Sequence, residues 1–254
     1  MIRAAFFDID GTLLSFKTHR VSEGTVRAFR RLHACGVHTF ISSGRPMVLI
    51  PRMPVTFEAH ITMNGGLVFT PSQVLISNPI ADDDKMAWLD YAERRGICTM
   101  LFSADAMLLA QPNAVGLRLR EQLEFEMPPV VSIAEMRQHE AYQIIALMPA
   151  DADAEVSALM PHCRLPRWHP VFTDIVACGN SKAVGMDAIC RHFGIAQSDT
   201  IAFGDGANDI EMLQWAGIGI AMGNAAPEVQ AAADMVTTTV DEEGIEKAIE
   251  TLSL

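Results

Sequence analysis

The chain begins with a short apolar segment, Ile2-Arg3-Ala4-Ala5-Phe6-Phe7-Asp8-Ile9, which continues directly into Asp10-Gly11. Apolar and aromatic residues that stop at an Asp-Gly pair predict a buried β-strand over residues 2–9, followed by a turn. The segments that come next decide which kind of sheet this strand enters.

A helix and two further strands follow the opening strand. The helix is predicted to start after Ser22, a suitable N-cap, and to stop at Gly36, with apolar residues at helical spacing between them. Strands are predicted over residues 37–42 and 59–63, each ending in a polar turn. This strand–helix–strand order predicts an α/β fold with a doubly wound, Rossmann-like parallel sheet.

The pattern changes in the middle of the chain. This part is predicted to hold helices over residues 82–95, 113–125 and 152–160 and strands over 98–102, 107–110, 143–148, 163–168 and 173–178. Paired strands with intervening helices indicate a separate α+β unit, and after Gly179 the alternation of strand and helix returns. We therefore predict a core domain from residues 1–81 and 179–254, with an α+β domain inserted over residues 82–178.

The charge balance bears on possible partners. The chain of 254 residues carries 19 Lys and Arg against 31 Asp and Glu, a formal net charge of −12. Sequence-independent binding of nucleic acid or of an anionic membrane needs a basic surface, so neither partner is expected. Half of the residues are hydrophobic, which is the composition of an ordinary globular protein.

Cysteine usage and the apolar segments indicate a soluble, cytoplasmic protein. The five cysteines are odd in number and form no C-x-x-C pair, which argues against a disulfide framework and against structural zinc. Asp8 and Asp10 interrupt the first apolar stretch, so no secretory signal is expected. The longest uncharged stretch, residues 59–81, contains several Gly, Pro and Asn residues and is not a membrane span.

Four polar signals lie at predicted strand ends or helix starts. They are Asp8-Ile9-Asp10-Gly11, Ser42-Ser43-Gly44-Arg45, Lys182, and Gly204-Asp205-Gly206-Ala207-Asn208-Asp209. Taken one at a time, each is also common as a turn, as a surface lysine or as a helix cap, for which Asn208 is well suited. Together they point to one site, because ligands of open α/β sheets bind at the carboxyl ends of the strands.

The residue types indicate phosphoryl chemistry. Asp8, Asp10, Asp205 and Asp209 are expected to converge, and several ionised carboxylates in one site need a cation. Oxygen ligands with a phosphate substrate suit Mg²⁺, whereas the eight histidines are scattered singly and offer no zinc set. A carboxylate can attack phosphorus to give an aspartyl-phosphate, and a carboxyl group two residues later can transfer the proton.

The motifs resemble those of a known family. They are Asp8-Ile9-Asp10-Gly11-Thr12-Leu13, Ser43-Gly44-Arg45-Pro46, Asn64-Gly65, Lys182, Gly204-Asp205-Gly206-Ala207-Asn208-Asp209 and Met222-Gly223-Asn224-Ala225. In this order they resemble the haloacid dehalogenase (HAD) superfamily, specifically its Cof-type sugar-phosphate phosphatases with a C2B cap. The resemblance covers essentially the whole chain and implies a Mg²⁺-dependent phosphatase that acts on small phosphorylated metabolites.

The resemblance also implies a role for each matched residue. Asp8 is the expected nucleophile and a Mg²⁺ ligand, and Asp10 is the expected general acid and base, whose backbone carbonyl also reaches the metal. The other implied roles are phosphate orientation by Ser43 and the Gly44 backbone, charge neutralisation by Lys182, metal binding by Asp205, a phosphate contact by Asn208 and a supporting metal-site acid in Asp209.

The inserted domain is expected to act as the cap that closes over the site, excludes water and selects the leaving group. Its candidate substrate contacts, each of which is also common as an ordinary surface residue, are Arg118, Arg120, Arg164, Arg167, Trp168, His169 and Asp174. Two alternatives stay open, a phosphotransferase or phosphomutase that uses the same intermediate and a non-catalytic phosphosugar-binding protein. A monomer or small homo-oligomer is expected.

Overall fold

The computed structural model describes residues 1–114, 116, 128–167 and 169–254. The helix predicted over 113–125 lies almost entirely outside these residues, as do Arg118, Arg120 and Trp168. The described chain forms two compact units. The parallel-sheet unit contains Met1–Arg45, Ile50–Ser77 and Ser181–Leu254, and the antiparallel-sheet unit contains Pro46–Leu49 and Asn78–Asn180. The assignment of residues 82–178 to a cap stays a prediction.

The strands and helices are numbered in chain order. The described strands are β1 (Ala4–Phe7), β2 (His38–Ser42), β3 (Ala59–Thr62), β4 (Leu67–Phe69), β5 (Val74–Ser77), β6 (Thr99–Phe102), β7 (Met107–Ala110), β8 (Gln143–Ala146), β9 (Cys163–Arg164), β10 (Thr173–Ala177), β11 (Thr200–Gly204), β12 (Ile218–Ala221) and β13 (Met235–Val236). The described helices are α1 (Glu23–Ala34), α2 (Asp82–Arg95), α3 (Ile133–Met136), α4 (Asp153–Leu159), α5 (Lys182–Phe193), α6 (Ile210–Trp215), α7 (Pro227–Ala231) and α8 (Gly244–Thr251). None of these helices is both long and apolar enough to span a bilayer.

The opening strand lies in the middle of the larger sheet. In the described residues this sheet has the order β13-β12-β11-β1-β2-β3-β4-β5, and the strands from β13 to β3 pair in parallel. Parallel neighbours place their carboxyl ends at one edge, which confirms the predicted doubly wound α/β fold. That edge receives the segments that follow β1, β2, β3 and β11.

Apolar side chains on both faces explain the central position of β1. Ala5 and Phe7 belong to one hydrophobic cluster, together with apolar residues of α1 and α8. Ala4 and Phe6 belong to a second cluster, together with apolar residues of α5 and α6. A strand that is buried on both faces does not alternate between apolar and polar residues, which explains why every residue of β1 is apolar.

A hairpin that the sequence analysis missed extends this sheet. Strands β4 and β5 pair antiparallel with each other, and β4 pairs antiparallel with β3. The turn between them is closed by Thr70, whose hydroxyl accepts from the backbone N–H of Gln73 at 3.1 Å. Two apolar triplets around Thr70-Pro71-Ser72-Gln73 were the available signal, but each strand is short and the outer one is largely exposed.

The second unit contains an antiparallel sheet with the strand order β7-β6-β8-β10-β9, together with α2, α3 and α4. Strands β6 and β7, predicted over residues 98–102 and 107–110, pair antiparallel as a hairpin. The strand predicted over residues 163–168 is wrong in its extent, because β9 stops at Arg164. Pro166 has no N–H to donate to a ladder and restricts the backbone of Leu165, which explains the early end.

Candidate active site

Asp8 is the first residue after β1. It is 6% exposed, and its backbone N–H donates to the Phe203 carbonyl at 3.0 Å. Phe7 pairs with Phe203 in the sheet, so Asp8 and Asp205 leave neighbouring strands at the same edge. Gly11 allows the following turn to approach Asp205, because its φ is +78° and an added Cβ would lie 2.1 Å from the Asp205 carboxylate.

Lys182 occupies the interior of this site. The sequence places it just before a helix, and it is the first residue of α5, whose N-cap Ser181 accepts from the Val184 N–H. Its side chain is fully buried, and Nζ contacts Asp8 Oδ1 at 2.6 Å and Asp209 Oδ1. A buried ammonium group is costly without partners, so the two carboxylates account for its position.

The charges of this group shift one another's pKa values. Burial alone lowers the pKa of the Lys182 ammonium, but the charges of Asp209 and Asp8 outweigh burial and raise the pKa overall. Burial raises the pKa of Asp8 well above its ordinary value, and the charge of Asp209 adds to this while Lys182 opposes it. Such shifts are typical of catalytic carboxylates, although structural ion pairs produce them too.

Asp205 is held at both carboxylate oxygens. The Thr12 hydroxyl donates to Oδ1 at 3.1 Å, and the Asn224 amide donates to Oδ2 at 3.0 Å. The same amide donates to the Gly11 carbonyl at 2.9 Å, so Asn224 connects the two loops. Burial, reinforced by the charge of Asp209, raises the pKa of Asp205 to about 6.

Three carboxylates form a group that can hold a cation. One oxygen from each of Asp8, Asp205 and Asp209 lies within 4.8 Å of the others. Asp209 also uses Oδ2 to accept from the backbone N–H groups of Asp205 and Gly206, at 3.0 and 2.9 Å. A donor set made only of oxygen atoms fits a hard divalent cation such as Mg²⁺ better than zinc.

The side chain of Asp10 pairs with Arg45. Asp10 accepts from Arg45 Nε and Nη2 at 2.7 and 2.6 Å, and its charge is among those that raise the pKa of Asp205. The convergence of its carboxylate with that of Asp8 stays a prediction. The chain turns at Ile9, whose carbonyl accepts from the N–H groups of Leu13 and Leu14.

Ser43 and Gly44 follow β2 at the same edge. Ser43 is buried, its N–H donates to the Ile61 carbonyl at 2.9 Å, and its hydroxyl accepts from the Arg45 N–H. Asn208 lies beside Gly44, and its amide donates to Asn64 Oδ1 at 2.9 Å. The alternative role of Asn208 as a helix cap falls to its neighbour, because the Asp209 carboxylate accepts from the N–H groups at this turn.

The structure thus brings together Asp8, Lys182, Asp205 and Asp209, and separately Ser43, Gly44 and Asn208. Four further residues of the quoted motifs contribute to this geometry, although the sequence indicated no role for them: Thr12, Arg45, Asn64 and Asn224.

In the antiparallel-sheet unit, Arg167 pairs with Asp153 and Arg164 donates to the Asn180 carbonyl. A substrate contact by these arginines, by His169 or by Asp174 stays a prediction.

Comparisons with known proteins agree with this geometry. Residues 5–249 match the family described as haloacid dehalogenase-like hydrolase. The solved structure of the HAD subclass IIB sugar phosphatase BT4131 is 37% identical, with a TM-score of 0.89 and 99% of each chain covered. The phosphatase BT1666 from Bacteroides thetaiotaomicron is 33% identical, with a TM-score of 0.92 over 100% of this chain and 96% of that one.

A curated relative of known reaction is also similar. The 5-amino-6-(5-phospho-D-ribitylamino)uracil phosphatase YitU of Bacillus subtilis is 30% identical over 262 residues, covering 94% of this chain and 93% of the relative. The family match spans nearly the whole chain, and the motifs that match are the ones that the fold gathers at the sheet edge. The chain belongs to the haloacid dehalogenase-like hydrolases and is a phosphatase of the Cof type.

Proposed function

We propose that this enzyme is a Mg²⁺-dependent phosphomonoesterase that hydrolyses small phosphorylated metabolites, with sugar phosphates as the first class, through an aspartyl-phosphate on Asp8. The observation that carries the proposal is the buried contact of Lys182 with Asp8 and Asp209, beside a third carboxylate. An ion pair that served folding alone would not need Asp205 at the same edge.

Asp8 is the proposed nucleophile. Its carboxylate oxygen forms a bond to phosphorus while the ester bond from phosphorus to the leaving oxygen breaks, and water later cleaves the acyl phosphate. Lys182 reduces the charge repulsion between Asp8 and the phosphoryl oxygens, since its Nζ lies 2.6 Å from Asp8 Oδ1. Ser43 and the Gly44 backbone orient the phosphoryl group, and Asn208, which lies beside Gly44, also contacts it.

Asp10 is the proposed proton carrier. It gives a proton to the leaving oxygen in the first step and removes one from the attacking water in the second. Arg45 holds the Asp10 carboxylate through two hydrogen bonds, so this pair must open or shift for the proton to reach the substrate.

Asp8 and Asp205 would hold Mg²⁺, with the backbone carbonyl of Asp10 as a further oxygen ligand and Asp209 supporting the site. The bound ion would neutralise phosphoryl charge and fix its orientation. Thr12 and Asn224 hold Asp205 in place at both oxygens, which is the kind of support that metal-binding carboxylates need.

The proposed substrate class is supported by the relatives. BT4131 is a sugar phosphatase, and YitU acts on a phosphorylated ribityl compound. Both substrates are small phosphomonoesters with polyhydroxylated carbon chains. We further propose that residues 82–178 form the cap that selects the leaving group.

The test is phosphate release from a panel of sugar phosphates, nucleotides and cofactor phosphates, measured with Mg²⁺ and with a chelator. We expect Mg²⁺-dependent release that concentrates on a few sugar phosphates and is abolished in Asp8→Asn. Asp83→Asn, an exposed carboxylate in the other unit, is the matched control and should behave as wild type. Release that is unchanged by chelator or by Asp8→Asn would refute the proposal.

A further inference from the structure

The segment after β3 has an unusual backbone. Met63 and Asn64 have φ values of 48° and 53°, and Gly65 follows with a φ of 91°. Residues with a Cβ rarely adopt the left-handed region, and two in succession must be held there by their surroundings. Residues held in sparsely populated conformations cluster at active sites and ligand-binding segments.

Backbone contacts hold this segment between two parts of the site. The N–H groups of Met63 and Asn64 donate to the carbonyls of Arg45 and Ser43, both at 3.1 Å. On its other side, an added Cβ on Gly65 would lie 2.2 Å from the carbonyl of Ser181, the residue before Lys182. The segment is therefore packed between the phosphate-orienting loop and the start of α5.

The Asn64 side chain lies beside Gly44 as a result. Its Oδ1 accepts from Asn208 Nδ2 at 2.9 Å, and the two amide nitrogens lie 3.2 and 3.5 Å from where a Gly44 Cβ would be. Within the described part of the chain, Asn208 makes no other side-chain hydrogen bond, so Asn64 alone sets the direction of its amide. Both amides therefore lie next to the Gly44 backbone.

We propose that Asn64 is a positioning residue, which fixes the Asn208 amide so that its second N–H faces the phosphoryl group beside Gly44. This inference rests on the proposed function, in which Asn208 contacts the phosphoryl group. An amide fixed in advance does not lose rotational freedom when substrate binds. The left-handed backbone at Asn64 is the means by which its side chain reaches Asn208.

The decisive variant is Asn64→Gly. Glycine accepts a φ of 53° without strain, so this change removes the side chain while leaving the loop conformation accessible. Asn208→Ala and the double variant Asn64→Gly/Asn208→Ala complete a double-mutant cycle. The cycle measures the coupling between the two side chains. His19→Gly is the matched control, since His19 is exposed, has a φ of 52° and lies outside the site.

We expect Asn64→Gly to lower kcat/KM for an aryl phosphate, and to weaken inhibition by inorganic phosphate, by roughly tenfold, the factor that one ordinary hydrogen bond represents. Its melting temperature should match wild type or exceed it. In the Asn208→Ala background the same change should have no further effect. His19→Gly should leave both kinetic constants unchanged.

Two results would overturn the inference in an active enzyme: normal phosphate inhibition in Asn64→Gly, or losses that multiply in the double variant. A wild-type protein that releases phosphate from no substrate would instead contradict the proposed function. In that case calorimetric titration with inorganic phosphate decides, because the inference still requires weaker binding by Asn64→Gly. No phosphate binding by the wild type would also overturn it.

Discussion

Lys182 lies fully inside the parallel-sheet unit, where its ammonium group contacts the carboxylates of Asp8 and Asp209. Replacing it with Met would leave two buried carboxylates without their counter-charge. We expect Lys182→Met to lower the free energy of unfolding by about 3–5 kcal/mol, the usual cost of breaking a buried pair. Activity should fall steeply, because Asp8 would then approach a dianionic phosphate without the ammonium group that contacts it.

Lys17→Met is the matched control. Lys17 forms an ion pair with Asp241, but its side chain is 78% exposed. Exposed pairs contribute about 0–1 kcal/mol, so urea denaturation and phosphate release should both stay close to wild type. Equal effects of the two substitutions would contradict the assignment of Lys182 to the site.

Asn224 offers a second test at the scale of single residues. Its amide donates to Asp205 Oδ2 and to the Gly11 carbonyl, and its Oδ1 accepts from the Val240 N–H at 2.9 Å. We expect Asn224→Ala to weaken Mg²⁺ binding by about 10- to 100-fold, as loss of a group that orients a metal ligand commonly does. Titration calorimetry measures this directly.

Asn78→Ala is the control for that experiment, since Asn78 also makes side-chain hydrogen bonds but lies in the antiparallel-sheet unit. It should alter stability alone. Unchanged Mg²⁺ affinity in Asn224→Ala would show that Thr12 and the backbone are sufficient to hold Asp205.

Individual residues also show where sequence reasoning stops. The grouping of Asp8, Asp205 and Asp209 with Lys182 could be predicted, because each follows or begins an element whose place in a parallel sheet is determined by strand order. The pairing of Asp10 with Arg45 could not be predicted. It depends on how the turn after Ile9 directs one side chain, and side-chain direction in a turn has no simple sequence period.

Two helices begin with the same kind of cap, which permits a comparison between elements. The Ser22 hydroxyl accepts from the Thr25 N–H at the start of α1, and Ser181 accepts from the Val184 N–H at the start of α5. We expect Ser22→Ala and Ser181→Ala each to cost about 1 kcal/mol in urea denaturation. Only Ser181→Ala should also lower kcat, because Lys182 is the first residue of its helix.

If both variants lost activity to the same extent, the loss would follow stability rather than the placement of Lys182. If neither cap mattered for stability, packing of the apolar helix faces would be sufficient to hold both helices. Both serines make the same capping bond, and the Ser22 hydroxyl also donates to Glu243. The activity lost per unit of stability lost in each variant therefore isolates the effect on the site.

Elements differ in how well the sequence predicts them. Helix α1 was predictable because a cap, an apolar face and a closing glycine agree over the same residues. The hairpin of β4 and β5 was missed and β9 was predicted too long, because short strands take their extent from neighbours in the sheet. Pro166 was a local signal that could have corrected the second error.

At the scale of the whole molecule, buried acids and net charge determine how stability depends on pH. The chain has a formal net charge of −12 and a sequence pI near 5.0. Asp205, with its pKa raised to about 6, binds a proton more readily in the folded protein than in the unfolded chain, and so does Asp8. The contribution of such groups to stability is complete at low pH and is lost as pH rises through the folded-state pKa.

We therefore expect Asp205 in the metal-free protein to disfavour folding by about 1 kcal/mol more at pH 7.5 than at pH 5. His60 acts in the opposite direction, because burial lowers its pKa, so the slope for wild type alone is not decisive. Asp205→Asn removes this titrating group and keeps the shape of the side chain, so the difference in unfolding free energy between the two proteins isolates Asp205.

That difference should grow from pH 5 to pH 7.5 in the presence of chelator. Adding Mg²⁺ should reverse it at pH 7.5, because the ion stabilises the ionised carboxylate that only the wild type has. A difference that does not vary with pH would mean that Asp205 is ionised over the whole range. Burial would then not raise the pKa of this carboxylate.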